Sequence, residues 1–260
     1  MLEITEKCIG GIKKYFKDTK GEKAVIGISG GKDSTVAAAL CVQALGKENV
    51  FGVLMPNGLT SESAYTDLKD GKEVCKVLGI NYHIFDIHEA YHSLLFNVEN
   101  LLYCQNNKLE NAKASNQTKI NLAPRIRMTV LYAIAQSMNG RVINTTNKCE
   151  SFVGYGTLWG DTVGDFAIFN NITVSQVCQI GDDLGLPYDL VHKTPSDGLT
   201  GKSDEEVLGV SYDDIENYMN YDGITIVDIE TAKKFNIIKQ LNEKSQFKRD
   251  MINIPKIKIY

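Results

Sequence analysis

The sequence lacks three features that would assign it at once to a protein class. Its six cysteines lie far apart and no two form a CxxC pair, which argues against a zinc ribbon and a small disulfide framework. No apolar run is long enough to span a bilayer, and the N-terminal segment has helical spacing in place of a signal peptide. The net charge of -4 gives no general attraction to nucleic acid or to an anionic membrane. We therefore expect a cytoplasmic protein without a nucleic-acid or membrane partner.

The pattern of apolar residues predicts an α/β fold. Four short apolar or β-branched runs, at residues 23–28, 49–55, 81–87 and 141–145, alternate with segments of helical spacing. Such alternation predicts a doubly wound, Rossmann-like parallel sheet of about five strands with helices on both faces. With 260 residues, we expect a single domain spanning 1–260 that ends in a helical or extended tail.

Helices and loops are also predicted in the second half of the chain. The predicted helices there are residues 125–138, 174–184, 213–219 and 228–241. The predicted loops are residues 109–119, 150–165 and 194–209. The second of these loops is rich in glycine, which indicates a binding loop more readily than a packed element.

A glycine-rich turn joins the first predicted strand to the next helix, in the sequence GISGGKDSTVAAAL at residues 27–40. Consecutive glycines let the backbone approach a phosphate that faces the helix N-terminus, so the turn is predicted to bind an anion. Its spacing matches neither GxxxxGK[ST] nor GxGxxG. The structural alternative is a tight turn in which Asp33 only caps the helix.

The segment SGGKDS resembles the pyrophosphate loop of N-type ATP pyrophosphatases, enzymes that split ATP into AMP and pyrophosphate while adenylating a substrate oxygen. This resemblance implies that ATP is a co-substrate, that Asp33 binds Mg²⁺, and that Lys32 and Asp33 are catalytic residues. The implied ATP contacts are Gly27, Ile28, Ser29, Gly30, Gly31, Lys32, Asp33 and Ser34.

Segments along most of the chain are similar, in order and spacing, to ammonia-dependent NAD synthetases of that class. They are MPNGLTSESAYTD, NLAPRIRMTVLYAIA, NTTNKCE, GYGTLWGDTVGDF, KTPSDGL and DEEVLGVSYDDIENYM, and the resemblance covers residues 21–248. It implies the amidation of deamido-NAD (nicotinic acid adenine dinucleotide) to NAD through an adenylate, with release of AMP and pyrophosphate. Only some twenty-eight residues precede Ser29, so we expect no glutaminase domain and predict ammonia as the nitrogen source.

The same resemblance assigns further residues. Glu150 is implied to be a catalytic residue and, beside Asp33, the second Mg²⁺ ligand. The implied further ATP contacts are Thr145 and Ser196, and the implied deamido-NAD contacts are Arg125, Asp165, Phe247 and Lys248. The resemblance also implies a homodimer. Residues 125–135 are apolar on more than one helical face, so they must be buried against the chain's own core or a second copy.

Three positions depart from the family pattern by losing a cation. Leu158 stands where a lysine or arginine commonly meets the dinucleotide, Val174 stands where a lysine commonly reaches the ATP phosphates, and Phe247 replaces the histidine of a His-Lys pair. A charge-assisted contact contributes about 1.5–3 kcal/mol, so these losses bear on ligand binding. The candidates for compensating charge are Lys32, Lys193 and Lys202.

Several alternatives stay open at this point. The pentapeptide HEAYH at residues 88–92 fits the HExxH of zinc metalloproteases, although no further ligand motif follows it. A tRNA thiolation enzyme also favours SGGKDS, but it needs a catalytic cysteine pair and a basic surface, neither of which is visible. A nucleotide-binding sensor would keep the turn without the chemistry. Tyr132 is expected in the core, whereas Tyr155 and Trp159 are open between ligand contact and packing.

Overall fold

The computed structural model describes residues 1–59, 61–106, 113–193 and 203–250, without the side chains of residues 63, 105 and 106. Among these residues, five strands form one parallel sheet in the order β3-β2-β1-β4-β5. The strands are β1 (Lys23–Gly27), β2 (Val50–Leu54), β3 (Asn81–Ile84), β4 (Gly140–Asn144) and β5 (Phe166–Ala167). The order reverses between β1 and β4, so the predicted doubly wound sheet is confirmed.

Helices connect the strands and continue after the sheet is complete. They are α1 (Glu3–Thr19), α2 (Lys32–Leu45), α3 (Glu62–Leu78), α4 (His88–Asn106), α5 (Asn116–Ser137), α6 (Lys148–Val153), α7 (Val174–Asp183), α8 (Tyr188–Val191), α9 (Asp204–Leu208), α10 (Tyr212–Met219), α11 (Ile229–Lys244) and α12 (Gln246–Asp250). Within the described ranges, no helix is both long enough and apolar enough to cross a membrane.

Apolar side chains cover both faces of the sheet. In β1, Ala24 and Ile26 belong to one core cluster with residues of α1, α2 and α7, whereas Val25 belongs to a second cluster with residues of α5. Successive residues of a strand point to opposite faces, so β1 contributes to both clusters. A third cluster forms where α6, α10 and α11 pack around Val153 and Ile215. The prediction of helices on both faces is therefore confirmed.

Several predicted boundaries are corrected by the structure. α5 begins at Asn116, inside the predicted loop 109–119, because Ser115 caps it by accepting a hydrogen bond from Thr118 N–H. α9 lies inside the predicted loop 194–209, and a capping box between Ser203 and Glu206 starts it. The third strand ends at Ile84 rather than at residue 87. Residues 194–202 lie outside the described residues.

The glycine-rich turn between β1 and α2 rests against α3. Gly30 has a φ of +83°, and a Cβ atom there would lie 2.8 Å from Asp67 O and 3.2 Å from Gly71 N. Lys193 holds the same part of α3, because its Nζ lies 2.7 Å from Asp70 Oδ2 and 3.2 Å from Asp67 Oδ1. A side chain at residue 30 would therefore push the turn away from a helix that is itself held in place.

We expect Gly30→Ala to lower the free energy of unfolding more than Gly185→Ala does. Both glycines have a left-handed backbone conformation, with φ of +83° and +69°, but a Cβ atom at Gly185 would meet nothing within 4 Å. Gly185→Ala then measures the left-handed strain alone, about 1–2 kcal/mol, and Gly30→Ala adds the cost of a backbone clash, about 1–3 kcal/mol. Urea unfolding without ligands gives both values, and equal losses would contradict the close packing on α3.

Candidate active site

The candidate site lies at the carboxyl ends of β1 and β4, where the strand order reverses. Just after β1, Ile28 N–H still donates to Val53 O of β2 at 2.9 Å, which continues the sheet bonding by one residue. The chain then turns through Ser29, Gly30 and Gly31 into α2. Open α/β sheets bind ligands in the crevice at such a reversal, so the turn is in the position that an anion site requires.

Two serines hold the turn in shape. Ser34 Oγ accepts from Ser29 N–H at 3.3 Å and donates to Gly31 O at 3.0 Å. Ser29 Oγ in turn accepts from Gly31 N–H at 3.2 Å. Gly31 is the N-cap of α2 and has no side chain with which to cap it. Asp33 lies inside the first turn of α2 and accepts from Asn147 Nδ2, so the alternative in which Asp33 only caps α2 is not supported.

Asn147 joins the two residues that sequence analysis predicts as metal ligands. Its Nδ2 donates to Asp33 Oδ1 at 3.2 Å. It is also the N-cap of α6, where its Oδ1 accepts from Glu150 N–H at 3.0 Å and Glu150 Oε2 accepts from Asn147 N–H at 2.9 Å. Sequence analysis did not single out Asn147, although the capping-box pattern Asn-x-x-Glu was present.

Burial raises the pKa of both carboxyls, that of Asp33 above its ordinary value and that of Glu150 well above it. The Asp33 charge further raises the pKa of Glu150, and the Lys32 ammonium lowers the pKa of both carboxyls. Ionising the pair is therefore costly without a further cation nearby. Carboxylate oxygens are ligands that Mg²⁺ accepts, so the pair fits this ion.

The protein part of such a metal site is small. In the described portions of the chain, no group of three or more His, Cys, Asp and Glu residues could hold a metal ion. Two carboxylates suit Mg²⁺ nonetheless, because this ion keeps several waters and commonly takes one or two protein carboxylates together with substrate phosphates. Asp33 and Glu150 are residues of this kind.

Lys32 is buried, although a lysine in a turn is more often a solvated surface residue. Its side chain is 6% exposed, and its Nζ lies 3.6 Å from Asp33 Oδ2 and 5.3 Å from the centre of the Tyr212 ring. Asp204 accepts from Tyr212 Oη at 3.1 Å and from Tyr155 Oη at 2.9 Å. Tyr155 therefore has a structural hydrogen bond, and Asp204 is a buried acid that sequence analysis missed.

The predicted dinucleotide contacts are divided between two places. Arg125 Nε donates to Leu158 O at 3.2 Å, and Lys248 Nζ donates to Gly154 O and Gly156 O, both at 2.7 Å. These two cations thus hold the backbone of the glycine-rich loop at residues 150–165. Asp165, the last residue of the same loop, instead bonds to β4, where its Oδ2 accepts from Val142 N–H at 2.8 Å.

The remaining predicted residues have fewer contacts that bear on function. Thr145 follows the end of β4 and is half-buried, and Phe247 is 55% exposed on α12. Trp159 is 43% exposed and has a φ of +61°. Tyr132 is partly buried and packs against the second core cluster, as expected. Ser196 and Lys202 lie outside the described residues.

Two of the positions that depart from the family pattern have structural partners. Val174 packs against the third core cluster, whose members include Cys149 and Tyr212. Leu158 contributes its backbone oxygen to Arg125. A charged side chain at residue 174 would have to leave that apolar contact, so its valine fits the local packing.

Arg127 is a further cation that sequence analysis did not single out. Its Nε donates to Met55 O, just beyond the end of β2, at 3.0 Å. Burial lowers the pKa of its guanidinium, while Asp161 and Asp67 raise it. Arg127 therefore links α5 to the carboxyl end of β2 and brings a positive charge toward the glycine-rich loop.

The histidines of HEAYH do not form a metal centre with other ligands in the described part of the chain. His88 and His92 lie one helical turn apart at the start of α4, with ring centres 4.2 Å apart. Among the residues that the structure describes, no third His, Cys, Asp or Glu completes a metal-binding group with them. The zinc metalloprotease alternative is therefore not supported.

Comparisons with known proteins agree with this geometry. The NH(3)-dependent NAD(+) synthetase of Archaeoglobus fulgidus is 32% identical over 258 residues, which cover 98% of this chain and 97% of that protein. An NMN synthetase structure from Francisella tularensis has a TM-score of 0.82 at 30% identity, covering 99% of this chain and 98% of its own. An NH3-dependent NAD synthetase structure from Campylobacter jejuni has a TM-score of 0.77 at 27% identity, with 98% of both chains covered. The NAD synthase family model matches residues 4–252, and the chain belongs to that family.

Proposed function

We propose that this chain catalyses the ATP-dependent amidation of deamido-NAD with ammonia, which gives NAD, AMP and pyrophosphate. As a member of the NAD synthase family, it is a ligase that forms a C–N bond with ATP as co-substrate. The observation that carries the proposal is the pair of hydrogen bonds by which Asn147 links Asp33 of α2 to Glu150 of α6, next to the point where the strand order reverses. Relatives named for their dependence on NH3 match nearly the whole chain, which supports ammonia as the nitrogen donor.

The reaction needs two steps because a carboxylate is a poor electrophile. In the first step, a nicotinate carboxylate oxygen attacks the α-phosphorus of ATP, an O–P bond forms, and pyrophosphate leaves. In the second step, ammonia attacks the acyl carbon, the C–O bond to AMP breaks, and the nitrogen loses a proton to become the carboxamide. The chain's task is to position two anionic substrates and to offset their repulsion.

The first step is assigned to the glycine-rich turn and to α6. The segment from Ser29 to Ser34, which leads into the N-terminus of α2, is proposed to bind the ATP phosphates, with Thr145 at the end of β4 as a further contact. Asp33 and Glu150 are proposed to hold Mg²⁺, which when bound would neutralise phosphate charge and stabilise the departing pyrophosphate. The assignment of Ser196 to ATP stays a prediction.

The nicotinate substrate is assigned to the glycine-rich loop and its neighbours. We propose that Arg125 and Lys248 fix this loop through its backbone oxygens and turn their remaining donor capacity toward the substrate's phosphates. Asp165 and Phe247 stay predictions as dinucleotide contacts. A single domain over residues 1–260 and a cytoplasmic location likewise stay predictions from the sequence.

A second candidate substrate is nicotinate mononucleotide, which lacks the adenylate half of deamido-NAD. The Francisella tularensis relative with a TM-score of 0.82 is an NMN synthetase. Leu158 and Phe247 both fall at positions that the family pattern gives to the dinucleotide, and neither carries a charge. The same amidation on the smaller substrate would give NMN. A tRNA thiolation enzyme and a nucleotide-binding sensor are not favoured by any of these relatives.

We also propose a homodimer with α4 in its interface. The residues Val130 and Ile134 of α5 pack partly buried against the second core cluster, so α5 is covered in part by the chain itself. α4 instead exposes Leu94, Phe96, Val98, Leu101 and Tyr103 by 37–65%. Exposed apolar side chains on several turns of one helix are characteristic of an interface, and a second copy would bury them.

The substrate is tested by incubating the purified chain with ATP, Mg²⁺, ammonium and either nicotinate nucleotide. We expect one AMP and one pyrophosphate per amide formed, no synthesis from glutamine, and a rate that rises with pH as ammonium gives up its proton. We expect kcat/KM for deamido-NAD to exceed that for nicotinate mononucleotide by about tenfold or more. The reverse ratio would assign the second candidate, and no pyrophosphate with either substrate would refute the proposed function.

Asp33→Asn should reduce the formation of AMP and pyrophosphate by about 10²-fold or more, because the charge that faces the metal is lost. Size is conserved, so the melting temperature and circular dichroism should stay close to those of the unmodified chain. The matched control is Asp228→Asn, which removes a carboxylate that caps α11 in an exposed position. Near-normal turnover by a folded Asp33→Asn chain would remove this residue from the proposed metal site.

Leu101→Asp should convert the dimer into a monomer, because a charge would be buried in an interface that commonly exceeds about 1,200 Å². The residue is 59% exposed in the single chain, so folding of the monomer should be unaffected. The control is Ile226→Asp at a residue that is 97% exposed and far along the chain from α4. Light scattering decides the mass, and a monomeric unmodified chain or a dimeric Leu101→Asp chain would refute the role of α4.

A further inference from the structure

Lys32 occupies an unusual place for a lysine next to a phosphate-binding turn. Its side chain is 6% exposed, and the ammonium lies between Asp33 Oδ2 at 3.6 Å and the Tyr212 ring at 5.3 Å. The ring hydroxyl is itself bonded to Asp204. An ammonium is strongly hydrated in water. A lysine that served only to bind phosphate could therefore stay in solvent until ATP binds and would not need to be buried.

The charges around Lys32 are unequal. Asn147 holds Asp33 and Glu150 together, and Asp204 accepts from the hydroxyl of the Tyr212 ring that Lys32 faces. In agreement with this arrangement, the Asp204 charge raises the pKa of both other carboxyls. Among the charges acting on both Asp33 and Glu150 in the described structure, Lys32 is the cation, and it lowers both pKa values. Three acidic groups therefore lie near one buried ammonium. One positive charge cannot neutralise three negative ones, so the two proposed metal ligands keep a net negative charge.

We propose that Lys32 is the internal counter-ion of Asp33 and Glu150, and that its ammonium competes with the divalent cation for these two carboxylates before ATP binds. The inference rests on the proposed function, because that reaction is the reason to expect a divalent cation at this pair. In this proposal the ammonium withdraws toward the Tyr212 ring, whose centre is 5.3 Å away, when a divalent cation binds the carboxylates, and Asp204 holds the ring in place by accepting from its hydroxyl.

If the Lys32 ammonium competes with the metal, changes of charge alter metal affinity in a direction that phosphate binding by Lys32 does not predict. Removing the Lys32 charge leaves the carboxylates uncompensated and must strengthen their attraction for a divalent cation. Removing the Asp204 charge lowers the negative potential at the same pair and must weaken that attraction. If Lys32 served only the ATP phosphates, neither change would alter metal binding in the absence of nucleotide.

The test uses Mn²⁺ as the probe, titrated into the full chain without nucleotide and followed by the loss of the free-ion electron paramagnetic resonance signal. Lys32→Met keeps the length of the side chain and removes its charge, and we expect the Kd for Mn²⁺ to fall by about tenfold or more. Lys32→Arg keeps the charge, so its Kd should stay within about threefold of the original. The matched control is Lys234→Met, which removes an ammonium that pairs with Asp214 at 3.1 Å instead.

Asp204→Asn supplies the opposite prediction, a Kd for Mn²⁺ that rises by about threefold or more. If Lys32→Met does not fold, the Kd of Asp204→Asn alone tests the proposal, and an unchanged value would contradict it. Unchanged Mn²⁺ affinity in Lys32→Met together with weakened ATP binding would overturn the proposal, and so would the absence of Mn²⁺ binding in both the unmodified chain and Lys32→Met. Amide synthesis by the unmodified chain is measured separately, so failure of the counter-ion and failure of the proposed function give different results.

Discussion

The hydrogen bonds of Asn147 are the interaction on which the candidate site depends. One side-chain amide donates to Asp33 on α2 and accepts from the first turn of α6, so it fixes two helix starts against each other. Both helix starts carry a partly buried carboxylate, and removing such a charge from water is tolerated best where it is paired or bound to a cation. The fold must therefore bring together, at one place, the Asn147 hydrogen bonds, a positive charge near the carboxylates and a rigid arrangement of the two helices.

The frame comes from the reversal of strand order. Asp33 and Asn147 are 114 residues apart in the chain, and they meet because β1 and β4 are neighbours in the sheet. α6 is then held by the third core cluster, in which Cys149 and Val153 pack with residues of α10 and α11. This packing explains why helices beyond the sheet matter to the site. Tyr212 belongs to the same cluster and carries its hydroxyl to Asp204.

The sequence predicted those parts of the molecule that local pattern determines. Four strands, the anion-binding turn and the doubly wound sheet follow from apolar runs, glycine spacing and the alternation of elements. β5 was not singled out, because two residues, Phe166 and Ala167, carry no periodicity. The start of α5 was missed because its first turn is polar and depends on a cap at Ser115. Element boundaries of this kind are set by single hydrogen bonds rather than by pattern.

The candidate site was predictable only residue by residue. Ser29 to Ser34 are consecutive residues that run from the turn into the first turn of α2, so a role for them could be predicted from their sequence alone. Asn147, Asp204 and Arg127 were missed because what gives each of them a role is a partner from a distant part of the chain, such as Asp33, Tyr155 or Met55. Burial of Lys32 was hidden for the same reason, since α10 covers it with Tyr212.

In a chain without a lysine at residue 174, the cation next to the proposed metal ligands is Lys32. The first turn of α7 is already occupied, because Glu216 of α10 accepts from Ser175 N–H at 2.9 Å while Val174 packs into the third core cluster. A lysine at residue 174 would lose that apolar packing and would lie beside Glu216, which competes with phosphate for its charge. Lys32 starts from α2 instead, and its Nζ lies 3.6 Å from Asp33 Oδ2, next to the glycine-rich turn. The cation beside Asp33 thus comes from the helix that begins at the candidate anion site, while α7 and α10 are joined to each other through Ser175 and Glu216.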